Sequence, residues 1–183
     1  MVVIGGNTPQ LHILLGQAYN EQGETAKALE ELQLALSLDS KTPMVHYYSG
    51  LIHIKAGKFD EAVKEFQNEL ALNPGDPQAK YHLGFVLLAQ QKTVAGIKLM
   101  REVIQLKPDF ADAYYELGKA LLQQGEVRDG VGSLEVAAKL APDKSYVHYQ
   151  LGRAYLASGR KAEGENQLEI SRQLKEKERQ TKP

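Results

Sequence analysis

The chain has no cysteine, which removes disulfide scaffolds, thiolate zinc sites, iron–sulfur clusters and cysteine nucleophiles at once. It also lacks a long apolar run. The longest, Phe85–Ala89, falls far short of the ~20 residues that a membrane span needs. Charge of one sign is missing too: 22 Lys and Arg stand against 23 Asp and Glu. A protein that grips nucleic acid through a broad basic surface is therefore disfavoured. The halves differ only mildly, with 7 basic and 10 acidic groups in residues 1–92 and 15 and 13 in residues 93–183. The first basic residue is Lys27, so the start does not read as a secretory signal. The expectation is a soluble protein, cytoplasmic by default and exported only if trimmed from a longer precursor, with no membrane and no nucleic-acid partner.

What is present is order among the glycines. Gly16, Gly50, Gly84, Gly118 and Gly152 are each 34 residues apart, and four of them follow a leucine. Gly23, Gly57, Gly125 and Gly159 lie seven residues later, with Gln91 in the remaining slot. Ala28, Ala62, Gly96, Gly130 and Gly164 form a third small-residue series. Twelve of the 16 glycines thus share one period, which is the signature of stacked helical hairpins.

Each unit reads as two helices. Thr8-Pro9, Thr42-Pro43 and Asp76-Pro77 place a capping side chain before a proline at the first helical position, and Asp109 and Asp143 are read as their counterparts in the last two units. The stretch Pro9–Gln22 has helical apolar spacing and stops at Gly23, where a left-handed cap suits glycine. The second helix, near Glu24–Leu38, puts Ala28, Leu32, Ala35 and Leu36 on one stripe. Leu72-Asn73-Pro74, Leu106-Lys107-Pro108 and Leu140-Ala141-Pro142 stop the helices of units two to four. A mid-helix glycine costs about 1 kcal/mol relative to alanine. Five at one register imply close backbone approach by the helix that carries the third series. On this reading Gly84→Leu wedges its hairpin apart, whereas Gly164→Ala is tolerated and even stabilising.

Leu151-Gly152…Tyr155…Gly159 and Gly57…Ala62…Phe66…Pro74 together resemble the tetratricopeptide repeat, and the resemblance covers about residues 9–178. The residue four before each glycine departs from the frequent aromatic as His12, His46, Lys80 and His148. Glu69 replaces a small residue, and proline is absent at Ser40 and Glu176. The resemblance implies an all-α fold, a right-handed superhelical solenoid of antiparallel helix pairs. Its divisions would be an N-terminal segment 1–8, repeats at 9–42, 43–76, 77–110, 111–144 and 145–178, and a tail 179–183.

In such a solenoid the first helix of each pair lines a concave groove. The candidate lining is Met44, Tyr47 and Leu51, then Tyr81 and Phe85, Tyr115 and Lys119, and Tyr146, Tyr149 and Arg153. Tyrosines 47, 81, 115 and 149 form a ladder at the repeat period, and Lys119 and Arg153 add positive charge at one end. The expected function is a non-catalytic scaffold that holds a peptide or partner protein there, with an acidic group near Lys119 and Arg153. The clamp of Lys, Asn, Asn, Lys and Arg by which some members grip a chaperone's terminal carboxylate is absent. Its positions here read Ile13, Gln17, Tyr48, Gln78 and His82, and no later frame supplies it.

No enzyme is expected, no cofactor and no metal. His46 and His53 share a helix face without a third ligand, and Asp129-Gly130-Val131-Gly132-Ser133 follows no strand. Two alternatives stand beside the scaffold. One is self-association into a homo-oligomer through the N-terminal hairpin, whose Leu11, Ile13, Leu14, Leu15, Ala18 and Tyr19 make the first helix apolar nearly all round. Met1-Val2-Val3-Ile4 or a further repeat would also cover it. The other is a recruiting or regulatory segment of a larger enzyme.

Overall fold

The structure, a computed structural model, describes residues 6–181, and the segment Met1-Val2-Val3-Ile4 lies outside them. Among the described residues there are ten α-helices and no strand. They run α1 Pro9–Glu21, α2 Thr25–Leu38, α3 Val45–Lys55, α4 Phe59–Leu72, α5 Pro77–Ala89, α6 Thr93–Leu106, α7 Ala111–Gln123, α8 Val127–Leu140, α9 Ser145–Ala157 and α10 Lys161–Thr181. Among the described residues no helix is long and apolar enough to cross a membrane. The chain forms two compact units, residues 1–91 and 92–183, so the dividing point falls inside the third 34-residue period.

In the first unit α1 packs on α2, α3 on α4, and α5 on α4, while α1, α3 and α5 also touch in sequence. In the second, α7 packs on α8 and α9 on α10, α6 rests on α7, and α7 meets α9. Short turns between packed neighbours make the pairs antiparallel. The turns are set by glycine. Gly23, Gly57, Gly125 and Gly159 have φ of +80, +71, +82 and +81°. Beyond each one the chain folds back, as where Glu24 N–H donates to Tyr19 O and Arg160 N–H to Tyr155 O, both at 2.9 Å. Gln91 takes the same conformation, φ +60°, without glycine's freedom.

Gly16, Gly50, Gly118 and Gly152 are where helices touch. A Cβ on Gly118 would lie 2.9 Å from the carbonyl oxygen of Gly130, and one on Gly152 would lie 3.0 Å from that of Gly164. In the first pair Gly16 faces the carbonyl of Ala28 at 3.1 Å. The second pair uses its space differently: the ring of Phe66, wholly buried, fills the room over Gly50 at 2.7 Å. The contact is reciprocal, which corrects the expectation for Gly164. A Cβ there would meet Leu156 Cγ at 2.7 Å and the Gly152 carbonyl at 2.9 Å, so alanine does not fit without movement. Where alanine does occupy this register, at Ala28 and Ala62, the residue in the place of Leu156 is Asn20 or Ile54.

Two further expectations change. Thr8 and Asp76 do cap their helices, accepting from Leu11 N–H and Gln78 N–H. Thr42 does not. Its hydroxyl donates to Asp39 O at 2.7 Å, α3 begins only at Val45, and Met44 sits at φ +70°. The cause is Glu69, 1% exposed, whose carboxylate accepts from Met44 N–H at 3.2 Å and Tyr47 N–H at 3.3 Å. It stands at the helix start in place of a first turn. Asp109 and Asp143 are not caps either: the caps are Phe110 and Lys144, one residue later, and neither makes a side-chain cap bond.

Apolar side chains from facing helices form the cores. In the first unit Ala28, Leu32, Ala35, Val45 and Ile52 are buried with Ile13, Tyr19 and Tyr48 packed against them. In the second Val131, Leu134, Leu151, Ala154 and Tyr155 play that part. Each large aliphatic side chain buried this way contributes roughly 1.5–3 kcal/mol.

Candidate binding surface

The candidate residues lie on the first helices of the pairs, where spacings of three, four and seven put side chains on one face. In the first unit Met44 immediately precedes α3, Tyr47 and Leu51 are on it, and Tyr81 and Phe85 are on α5; all five are half-buried. The rings of Tyr47 and Tyr81 are in contact through His82, a residue outside the candidate lining. His82 lies 5.6 Å from Tyr47 and 5.0 Å from Tyr81, edge to face in both cases, and stacks on Phe66 at 5.6 Å. Tyr81 stacks in turn on Phe85 at 6.5 Å. Tyr47 and Tyr81 are thus rungs joined by a histidine. No period marks His82 in the sequence, since its counterparts are Tyr48, Glu116 and Gln150.

In the second unit α7 carries Tyr115 and Lys119, and α9 carries Tyr146, Tyr149 and Arg153. The neighbour of the Tyr115 ring is Tyr146, edge to face at 4.9 Å. The Tyr146 hydroxyl donates to Asp112 Oδ1 at 2.7 Å, a bond between two residues of identical register. Burial, then this bond, raises the Tyr146 pKa, and burial is also the first cause of the rise at Tyr115 and Tyr47. These phenols stay protonated and can donate at any physiological pH.

The two expected cations differ in state. Lys119 Nζ lies over the Tyr115 ring at 4.9 Å but is held 2.9 Å from Glu116, itself 8% exposed. Its charge is matched within the protein. Arg153 stacks on Tyr149 with Cζ 5.8 Å from the ring centroid, and Lys175 Nζ comes to 5.3 Å from the same centroid. Lys175 belongs to α10, outside the first-helix stripe.

Three of the histidines, His12, His46 and His148, tie the two helices of a pair together. His12 Nδ1 meets Glu31 Oε2, His46 Nδ1 meets Glu65 Oε2 and His148 Nδ1 meets Gln167 Oε1, each at 2.6 Å and each 19 residues on. This recurrence is visible in the sequence once both members are aligned by period. Among the described residues no group of three or more His, Cys, Asp or Glu could hold a metal ion. Asp129–Ser133 lies inside α8. The second unit also has open depressions on its second-helix side. One, about 560 Å³, is lined by Val127, Val131, Gly132 and Arg160, and another, about 370 Å³, by Val94, Ile97, Lys98 and Gln124.

One family model described as TPR repeat matches residues 16–57 and 97–125, and two described as tetratricopeptide repeat match 115–169 and 43–76. The chain is a tetratricopeptide-repeat protein. A search of the curated proteins finds no significant match. Among solved structures, this tetratricopeptide-repeat chain is similar to MamA 41-end from Desulfovibrio magneticus RS-1, at 25% identity and a TM-score of 0.79 over 97% of this chain and 99% of that one. PilF of Pseudomonas aeruginosa is similar at 18% identity and a TM-score of 0.83, over 90% of this chain and 75% of PilF. YrrB, described as a TPR protein with an unusual peptide-binding site, is similar at 18% identity and a TM-score of 0.71, over 89% and 84% of the two chains.

Proposed function

We propose that the protein is a non-catalytic scaffold that binds a peptide or a partner protein on the first-helix faces of its repeats. Met44, Tyr47, Leu51, Tyr81 and Phe85 serve in the first unit, and Tyr115, Lys119, Tyr146, Tyr149 and Arg153 in the second. The observation that carries this reading is the α9 stripe. Tyr146, Tyr149 and Leu156 are 39%, 45% and 41% exposed along α9, with the exposed Arg153 between the last two. Tyrosine and arginine also dominate binding energy where partners meet, because each joins a large apolar area to a polar tip. The peptide-binding site ascribed to YrrB, a protein of similar fold, is in keeping with the same use.

The test is a pull-down and peptide-array screen with wild type and with Tyr81, Tyr115 and Tyr149 all changed to alanine. Loss of most captured partners at unchanged oligomeric state supports the reading; undiminished capture refutes it.

A second reading, self-association through the N-terminal hairpin, is favoured by Leu14 and Leu15, 63% and 36% exposed on α1. Light scattering across concentration distinguishes it. A dimer that Leu14→Glu dissociates supports assembly, and a monomer at all concentrations removes it.

A further inference from the structure

Tyr149 occupies the register of Tyr47 and Tyr115, yet its surroundings differ. Tyr47 is met by His82 and Tyr115 by Tyr146, both from the next first helix in the chain. Among the described residues no first helix follows α9. Instead α10 runs on to Thr181, and its Lys175 reaches the Tyr149 ring that Arg153 already covers. Two cations therefore share one ring that is 45% exposed.

Among the described residues their charges are unmatched, as is that of Lys177, whereas several cations nearby are paired. On α10 and just before it, Arg160 pairs with Glu163, Arg172 with Glu169, and Arg179 with Glu176. Lys119 pairs with Glu116. Neither Arg153 nor Lys175 has a carboxylate within 4.0 Å among the described residues. Two carboxylates of α7, Asp112 and Glu116, stand beside Tyr146 and Lys119. On α7 Glu116 and Lys119 offset each other, whereas between α9 and α10 two positive charges are left unpaired, and an incoming acid is steered there.

We propose that Arg153, Lys175 and Tyr149 form an anion-accepting subsite for the side-chain carboxylate of an Asp or Glu within a bound peptide. This rests on the peptide-binding reading above. An internal acid is favoured over a chain terminus because apolar surface continues on both sides of the cations, with Tyr146 before them and Leu156 after. From Tyr146 to Leu156 the helix rises about 15 Å, the span of about five extended residues. A ligand that used the whole stripe would carry its acid between apolar neighbours. Arginine supplies a planar fork for the carboxylate, lysine a mobile point charge, and the ring holds both cations in place.

The probe is an array of N-acetylated, C-amidated nonapeptides bearing one central Glu between leucine or phenylalanine residues. Each is matched by a Gln version and by a truncated version that ends on a free carboxylate. Wild type is expected to bind Glu peptides about tenfold more tightly than their Gln partners at low salt, as a charge-assisted contact implies. That preference should shrink as salt rises. In Arg153→Gln/Lys175→Gln the preference should collapse while weak binding through the apolar positions remains. An unchanged melting temperature, expected for two exposed side chains, shows that the fold is intact. Equal binding of Glu and Gln peptides to wild type overturns the subsite and leaves the groove standing. So does a preference that survives the double substitution, and a preference for the free terminus replaces the internal acid with terminal capture. Failure to retain any peptide overturns the groove reading itself.

Discussion

Glu69 holds the backbone of Met44. Its buried carboxylate, on α4, takes the amide N–H of Met44 at 3.2 Å and that of Tyr47 at 3.3 Å, and so fixes where α3 begins. The same register holds Ala35, Val103, Ala137 and Ser171 in the other pairs, none of which reaches a helix start in this way through a carboxylate. Met44 pays for the arrangement with a left-handed backbone, φ +70°, which costs a non-glycine residue about 1–2 kcal/mol.

Glu69→Ala should therefore destabilise the protein by about 2–3 kcal/mol, because it leaves two amides near the helix start without their acceptor. Urea unfolding measures it. A stability equal to wild type would mean that α3 regains the first turn which Pro43 is suited to begin.

Gly164→Ala and Gly130→Ala should each destabilise by about 1–3 kcal/mol, since the new methyl would meet Leu156 or Leu122 at 2.7 Å and a backbone carbonyl behind it. Combining Gly164→Ala with Leu156→Ala should recover part of the loss, a positive coupling in a double-mutant cycle. Additive effects would place the strain in the carbonyl contact alone.

Gln91→Gly should raise the melting temperature by a few degrees, equivalent to about 0.5–1 kcal/mol. It relieves a φ of +60° at the one turn of its series that lacks glycine, and the gain is reduced by glycine's greater freedom when unfolded.

Tyr155 is 7% exposed and donates to Glu135 Oε1 at 2.7 Å. Burial first, and this bond second, push its pKa up to about 12. The unfolded phenol ionises near 10, so between pH 10 and 12 the folded state binds the extra proton and stability falls as pH rises. The loss is on the order of 2–3 kcal/mol at most. Tyr155→Phe should flatten this part of the pH–stability curve measured by denaturant titration.

Much of the fold is legible because its determinants are local and repeated. The positive-φ turns at Gly23, Gly57, Gly125 and Gly159 follow from glycine's missing Cβ, and period alone locates them. The helix stops at Leu72, Leu106 and Leu140 follow from the prolines just beyond. Thr42-Pro43 has the same local grammar as Thr8-Pro9, yet α3 starts elsewhere, because the group that decides it is 25 residues away in sequence. For the candidate surface, the 34-residue period groups Tyr47, Tyr81, Tyr115 and Tyr149. It gives no sign that His82 links the first two rings, that Tyr146 is the ring beside Tyr115, or that Glu116 neutralises Lys119.

The amino-acid order by itself determined the helices, their turns and the face on which tyrosines collect, since each depends on backbone sterics and a period shared by neighbours a few residues apart. Only the tertiary structure decided which of those side chains are free to meet a partner. Whether a ring is covered depends on what the next helix brings within a few ångströms, as Tyr146 does for Tyr115, and Lys175 reaches Tyr149 only because α10 folds back along α9.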